Sequence, residues 1–216
     1  MKKDFNVFIK ANYQLTKNFN FFGDVQMRNV NYSFKGFDAN FENKNQHVQR
    51  NFFNPKVGVT YFLTTNKIMY LSYAVANKEP SRDDYVQSSP ASRPLSENLQ
   101  NVEFGYVQKN KRFTYSFNTY YMKYKNQLVL NGKVNDVGNY NRVNVKDSYR
   151  LGIEWMNTIR IFKQLEWTAN ATWSTNKISN YKEFVDNYDS TAQRINTFKN
   201  SDIAFSPNLI FGSSLR

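Results

Sequence analysis

Residues 67–129 contain three strand-like runs, separated by one long connection and one very short connection. The first run, KIMYLSYAVA, is followed by the polar segment NKEPSRDDYVQSSPASRPLSENLQN and then by the second run, VEFGYVQ. Only Lys109, Asn110 and Lys111 separate the second run from the third, RFTYSFNTYYMKYKNQLVL. Antiparallel strands joined alternately by long loops and minimal turns are typical of transmembrane β-barrels.

Period-two alternation continues along nearly the whole chain and gives most strands one apolar and one polar face. In the first hairpin, for example, Phe5 and Val7 alternate with Asn6. The pattern predicts about nine strands, with short turns near residues 17, 65, 110 and 163. Long loops are predicted at residues 33–54, 77–101, 126–144 and 176–202, and a last strand at residues 204–215.

This alternation has two physical interpretations. In lipid every backbone N–H and C=O must be paired within the protein, so a membrane-spanning sheet closes into a barrel with an apolar outer face. A soluble β-sandwich alternates as well, because one face of each sheet is buried. Long predicted strands, strictly alternating connections and an aromatic content of 17% favour an all-β, antiparallel transmembrane β-barrel. Aromatic residues also cluster near the predicted short turns: Phe19, Phe21, Tyr61, Phe113, Tyr115, Phe162 and Trp167.

Composition excludes several classes of function. There is no cysteine and a single histidine, His47, so neither a thiolate nor a histidine metal centre is expected, and no catalytic set or cofactor site is recognisable. The net charge of +12 comes from scattered Lys and Arg residues without a dense basic run, so nucleic acid is not expected as a partner. No apolar run approaches the ~18 residues of a membrane helix.

Three motifs together resemble the TonB-dependent outer-membrane receptors of the Bacteroidetes type. YLSYAVANKEPSRDDY, at residues 70–85, is similar to a strand that ends in R-x-P-S, with Lys78 where arginine is commoner. LSENLQNVEFGY, at residues 95–106, is similar to the family's next strand entry, although Leu-Ser-Glu replaces the usual Pro-Glu. NYNRVNVKDSYRLGIEW, at residues 139–155, is similar to N-x-x-x-A-x-x-x-G-x-E, with Ser148 in place of alanine.

The resemblance implies a protein of the Gram-negative outer membrane, in contact with its lipid. It implies a barrel of 22 strands, filled by an N-terminal plug through which an inner-membrane TonB complex supplies energy. Residues 1–216 are then expected to be one partial barrel domain, with the plug and the terminal strands absent. The expected function is uptake of a scarce nutrient, either a ferric siderophore or an oligosaccharide. A soluble all-β glycan-binding module is the alternative.

Two groups of residues are candidates for function. The long loop after the fourth strand offers cations, a carboxylate and a phenol ring for capturing a ligand: Lys78, Arg82, Asp83, Tyr85 and Arg93. The alternative is a solvated loop without a binding role. On the polar strand faces, four charged residues are predicted to face the lumen: Arg28, Glu103, Arg150 and Glu154. These four either contact a ligand or plug, or belong to a lumenal ion-pair network.

Overall fold

The computed structural model describes residues 1–37, 43, 45–89, 91–136, 138, 140–189 and 192–216. Within these residues nearly all of the regular structure is β-sheet, with a single short helix. The elements, in chain order, are β1 Lys2–Gln14, β2 Phe19–Phe34, β3 Gln46–Thr64, β4 Lys67–Lys78, α1 Arg82–Val86, β5 Glu97–Lys109, β6 Phe113–Val129, β7 Val143–Phe162, β8 Leu165–Val185, β9 Arg194–Asp202 and β10 Leu209–Leu215.

All ten strands form one antiparallel sheet in which β1 to β8 are neighbours in sequence order. Strand β9 pairs with residues 177–185 of β8, and β10 pairs with residues 167–173 of the same strand. The two short strands therefore occupy one position in the sheet. Within the described residues, β1 and β10 are each paired along one edge only, so this sheet is not closed. A β-sandwich would need a second sheet facing this one, whereas the described residues form a single sheet.

Short and long connections alternate as the sequence predicts. Residues 15–18, 65–66, 110–112 and 163–164 form the short turns, and residues 35–45, 79–96, 130–142 and 186–193 form the long connections. Each short turn joins the two strands of a hairpin, and each long connection leads to the next hairpin. All long loops consequently lie at one end of the sheet, and all short turns lie at the other.

The strands extend further towards the long loops than the sequence predicts. Residues 46–54, predicted as loop, belong to β3, and residues 177–185 and 194–202, also predicted as loop, form the paired ends of β8 and β9. The last strand begins at Leu209 rather than at residue 204. Strand β3 has 19 residues and β8 has 21, although about 9–11 suffice to cross a bilayer. Beyond the bilayer no lipid imposes one apolar face, so the apolar–polar alternation is weaker there.

The two faces of the sheet match the predicted alternation. Phe117 of β6 pairs with Tyr106 of β5 and with Trp155 of β7, whereas the next residue, Asn118, pairs with Gly105 and Glu154. Many large apolar side chains remain exposed on the first face, including Phe5, Val7, Ile9, Met27, Val57, Leu71, Leu151, Trp173 and Phe211. This face is the lipid-facing wall expected of a barrel, and the polar face is the lumenal wall. No helix in the described part of the chain is long and apolar enough to cross a membrane.

Candidate functional site

The connection between β4 and β5 is held in shape by helix α1. Ser81 precedes the helix and its hydroxyl accepts a hydrogen bond from the backbone N–H of Asp84, while the Asp84 carboxylate accepts one from the Ser81 backbone N–H at 2.7 Å. This reciprocal capping box satisfies two of the otherwise unpaired donors at the start of a helix. The local sequence Ser-x-x-Asp therefore explains why a helical turn begins at Arg82.

An ion pair between a half-buried arginine and a buried carboxylate joins this loop to the β6–β7 loop. Arg142 Nε donates to Asp84 Oδ1 at 2.8 Å, and Arg142 Nη2 donates to Asp84 Oδ2 at 2.5 Å. The Asp84 side chain is only 3% exposed, and Asn141 Nδ2 adds a hydrogen bond to the Asp84 carbonyl at 2.8 Å. The hydrogen bond to Asp84 raises the pKa of the Arg142 guanidinium above its ordinary value. Two-point pairing of this kind fixes both distance and orientation between the loops.

Tyr85 forms the apolar centre of the loop. Its ring is 1% exposed and packs against Phe34 and Val48, at the loop ends of β2 and β3. The ring centroids of Tyr85 and Phe34 are 6.2 Å apart. Burial raises the pKa of the Tyr85 hydroxyl, which has no hydrogen-bond partner among the described residues. Tyr85 thus fastens α1 to the sheet.

A basic pocket of about 400 Å³ lies beside this loop, on the polar face of the sheet. It is bounded by β1, β2, the end of β4 and the two loops joined by the Asp84–Arg142 pair. Five cationic side chains line it: Lys2, Arg28, Lys78, Arg82 and Arg142. Glu79 is the one carboxylate and Tyr32 the one aromatic residue among its described lining residues. The pocket is therefore a place where an anion is favoured.

The cations of this basic pocket differ in how far they are neutralised. Glu79 accepts from Lys2 Nζ at 2.5 Å and from Arg28 Nη2 at 3.1 Å, and Arg28 also binds both carboxylate oxygens of Asp4. Lys78 Nζ has one ion-pair partner among the described residues, Glu97 at 4.0 Å. Arg82 makes no ion pair or side-chain hydrogen bond with the described residues. Lys78, whose partner is distant, and Arg82 are therefore the least neutralised cations of the pocket.

The structure separates the five residues predicted to capture a ligand. Lys78 and Arg82 line the basic pocket, whereas Asp83 is exposed and does not line it. Arg93 lies inside the loop, where its Nη2 donates to Gln46 Oε1 at 2.8 Å. The prediction that Tyr85 offers its ring to a ligand is corrected, because that ring is fully enclosed by the loop ends of β2 and β3.

The four residues predicted to face the lumen share the polar face, but they have different partners. Arg28 belongs to an ion-pair cluster with Asp4 and Glu79. The other three make hydrogen bonds to neutral groups: Glu103 accepts from Asn101 Nδ2 at 2.6 Å, Glu154 accepts from Asn118 Nδ2 at 3.1 Å, and Arg150 donates to Ser206 Oγ at 2.8 Å. An ion-pair network within the described chain therefore accounts for Arg28 alone.

Sequence reasoning missed Lys2, Glu79 and Arg142 as members of the basic pocket. Arg142 lies 58 residues from Asp84 in the chain, and no periodicity connects the two loops. The Ser81–Asp84 capping signature was the one local signal that Asp84 has a structural partner. No group of three or more His, Asp or Glu residues within the described ranges is arranged to hold a metal ion.

The family to which the chain belongs follows from its sequence. Residues 2–215 match the profile of the family described as TonB dependent receptor-like, beta-barrel. The chain is therefore a member of the TonB-dependent receptor β-barrel family, whose proteins lie in the Gram-negative outer membrane. No curated protein sequence matches it significantly.

Several solved structures share this fold at low sequence identity. The ferric yersiniabactin uptake receptor FyuA from Yersinia pestis is similar at a TM-score of 0.74 and 16% identity, over 99% of this chain and 31% of that protein. The siderophore receptor PiuA from Acinetobacter baumannii has a TM-score of 0.74 and 13% identity, over 99% and 30%. The FrpB iron transporter from Neisseria meningitidis has a TM-score of 0.66 and 18% identity, over 82% and 26%. The chain thus spans roughly a third or less of these receptors.

Proposed function

We propose that this chain forms part of the barrel wall of a TonB-dependent importer, and that its basic pocket captures an anionic metal chelate such as a ferric siderophore. The observation that carries the proposal is the pair of least neutralised cations, Lys78 and Arg82, beside three further cations in one pocket. Guanidinium and ammonium groups bind carboxylate or catecholate oxygens through charge-assisted hydrogen bonds.

The composition of the pocket favours an anionic chelate over an oligosaccharide. Sugar sites depend on aromatic platforms, and Tyr32 is the one aromatic side chain in the described lining. The two least neutralised of its five lining cations, Lys78 and Arg82, attract an anion instead. The names of the similar receptors, which include siderophore and iron transporters, are compatible with this cargo, although they show only a shared fold. We propose no catalytic activity for the chain.

Further partners follow from the same proposal. Glu103 and Glu154 form no ion pair with the described residues, although both lie on the lumenal face. Glu103 is half-buried and Glu154 is exposed, so both carboxylates are free to pair with a cation from outside the sheet. We propose that basic residues of the domain that plugs the barrel supply this charge, and that the plug connects the receptor to the TonB complex.

The cargo is tested by charge reversal in the complete receptor, purified in detergent. Lys78→Glu with Arg82→Glu is compared with Lys17→Glu with Lys163→Glu, which reverses the same two charges at the short turns. Tryptophan fluorescence measures binding of a panel of anionic ferric chelates and of neutral oligosaccharides. We expect the loop pair to weaken chelate binding at least about tenfold, which corresponds to ~1.4 kcal/mol, and the turn pair to leave it unchanged. Equal effects, or binding of oligosaccharides alone, would refute the proposal.

A further inference from the structure

The strands that pair with β8 are interrupted by a bulge. Strand β9 ends at Asp202, opposite Lys177, and β10 begins at Leu209, opposite Trp173. The six residues 203–208 therefore stand against only three residues of β8, 174–176. The extra residues of a bulge are left out of the ladder, so part of this segment leaves the plane of the sheet.

Side chains of the lumenal face hold the bulge in place. Arg150 Nη1 donates to Ser206 Oγ at 2.8 Å, and Asn176 Nδ2 donates to the Ser206 carbonyl oxygen at 3.5 Å. The Ser174 hydroxyl donates to the Pro207 carbonyl oxygen at 3.4 Å. Arg150 and Asn176 are register partners, and all three donors belong to the polar face of the sheet. The bulge therefore folds over the lumenal side of the wall.

Phe205, in the middle of the bulge, combines a strained backbone with an exposed ring. Its φ is 57°, in the left-handed region, where the Cβ atom of an L-residue lies too close to the following carbonyl oxygen. The other non-glycine residues with positive φ in the described ranges are Asn126 and Asn180, and asparagine tolerates this region. The Phe205 side chain is fully exposed, so its packing does not offset the strain. Strain of this kind persists at sites that present a side chain to a partner.

The Arg150 guanidinium beside the bulge defines the chemistry of that partner further. Its hydrogen bonds to Ser206 Oγ and, at 3.4 Å, to Asn176 Oδ1 both involve neutral groups and Nη1. Arg150 makes no ion pair with the described residues. A guanidinium has five N–H donors and pairs most strongly with a carboxylate. A partner that fits this surface presents an apolar cleft with a carboxylate next to it.

We propose that Phe205 inserts into an apolar cleft of the plug domain, and that a carboxylate beside the cleft pairs with Arg150. This contact rests on the proposed function, which includes a domain inside the barrel. Lipid is not the partner, because the bulge lies on the face opposite the lipid-facing wall. The chain spans about a third of FyuA and PiuA, so receptors of this size have ample chain outside these residues to supply the cleft. The hydrogen bonds that hold the bulge preorganise the ring for docking.

Photo-crosslinking in the complete receptor tests the contact. The photoreactive residue p-benzoylphenylalanine replaces Phe205 or, as the control, Tyr188, which is also exposed but lies in the long β8–β9 connection. After irradiation in detergent, mass spectrometry identifies the cross-linked peptides. We expect position 205 to cross-link to peptides of the plug domain and position 188 not to do so. Cross-links from position 205 only to other barrel strands or to an added ferric chelate, or none at all, would overturn the proposal.

Two substitutions separate the ring from the backbone strain. Phe205→Ala and Phe205→Gly both remove the ring, but only glycine adopts a positive φ without strain. We expect both variants to speed amide hydrogen exchange in one segment of the plug domain by at least about fivefold, because both lose the buried ring. Tyr188→Ala is expected to leave this exchange unchanged. Faster exchange in neither variant, or in only one of them, would show that the ring does not hold the plug.

Two measurements on the same samples complete the test. Heat-dependent mobility on gels verifies that the barrel of each variant is folded. Binding of the ferric chelate is expected to be unchanged in both Phe205 variants, because the ring lies outside the basic pocket that contains Lys78 and Arg82. A failure of the plug contact is therefore distinguishable from a failure of the proposed cargo. Loss of chelate binding in these variants would instead assign Phe205 to the cargo and overturn the proposal.

Discussion

The phenol ring of Tyr70 lies directly across Gly105, its register partner on β5. A Cβ atom at Gly105 would stand 2.2 Å from ring atoms Cε1 and Cζ of Tyr70, which is far inside van der Waals contact. Phe22 covers Gly58 and Tyr120 covers Gly152 in the same way. Each of these ring–glycine contacts, here called a joint, connects two strands that a long loop separates in sequence. The joints connect β2 with β3, β4 with β5, and β6 with β7. An aromatic ring over a glycine thereby fixes the register between hairpins.

The first prediction concerns this joint. Gly105→Ala is expected to destabilise the folded receptor by about 1–3 kcal/mol, because the ring must leave its position and overpacking is costly. Moving the ring also lengthens the 3.2 Å hydrogen bond from the Tyr70 hydroxyl to Asn118 Oδ1. The midpoint of guanidinium-induced unfolding, followed by tryptophan fluorescence, measures the change. Gly23→Ala is the control, since no atom lies within 4 Å of a Cβ built there. Equal midpoints for the two variants would show that the joint contributes nothing.

The second prediction concerns the orientation of the wall. Phe117→Arg places a cation on the apolar face of β6, near the middle of the bilayer, and is expected to cost about 2–4 kcal/mol. Asn118→Arg changes the neighbouring residue, whose side chain faces the lumen and donates to Glu154, so its effect is expected to be small. Unfolding of the receptor in lipid vesicles compares the two. A larger penalty for Asn118→Arg would mean that the apolar face is turned inward.

A third prediction follows from the ion pair between the two loops. Arg142→Ala leaves the buried Asp84 carboxylate without its cation, and it is expected to destabilise the β4–β5 loop by about 1–3 kcal/mol. Limited digestion with proteinase K should then cut within residues 79–96 several times faster than in the native receptor. Arg82→Ala removes an exposed cation of the same loop and should leave the cleavage rate unchanged. If Arg142→Ala is cut no faster, the pair does not hold the loop.

The fourth prediction is a pH range for a second contact between loops. The Tyr140 hydroxyl donates to Asp186, and Gln193 Nε2 donates to the same carboxylate at 2.8 Å. The hydrogen bond from Tyr140 lowers the pKa of Asp186 below its ordinary 3.8, and the same bond raises the pKa of Tyr140 above 10.0. The stabilisation from Asp186 is therefore present above its ordinary pKa and lost as pH falls through the lowered value. The stabilisation from Tyr140 is lost as pH rises through its raised value.

Pulsed electron paramagnetic resonance measures this range. Spin labels at Lys133 and Asp189, one in each loop, should give a narrow distance distribution between about pH 5 and pH 9 and a broader one near pH 3. Asp186→Asn serves as the comparison, because an amide cannot titrate and its distribution should not change between pH 5 and pH 3. A native distribution that is equally narrow at pH 3 would contradict the assignment.

How much of the molecule the sequence predicts depends on where a residue lies relative to the bilayer. Lipid on one side and water on the other force the alternation that places Phe117 outward and Asn118 inward, so the faces and all four short turns are predicted correctly. The sequence does not predict residues 46–54 of β3 as strand because no lipid imposes an apolar face on this end of the strand. The sequence predicts contacts inside the loops even less well. An aromatic residue in a polar segment, Tyr85, suggests a ligand contact, yet three-dimensional packing buries it.

The last prediction concerns which ends of the strands face outward, on which the proposed ligand-capture site depends. Members of this class place long loops at the cell surface and short turns towards the periplasm. Epitope tags inserted after Asn43, Ser89, Lys133 or Asp189 are therefore expected to bind antibody on intact cells, and tags after Asn18 or Asn110 only after the outer membrane is permeabilised. All six positions lie in connections between strands, so an insertion there leaves the backbone pairing of the sheet intact. Surface labelling at Asn110 on intact cells would place the basic pocket on the periplasmic side and remove it as a point of capture.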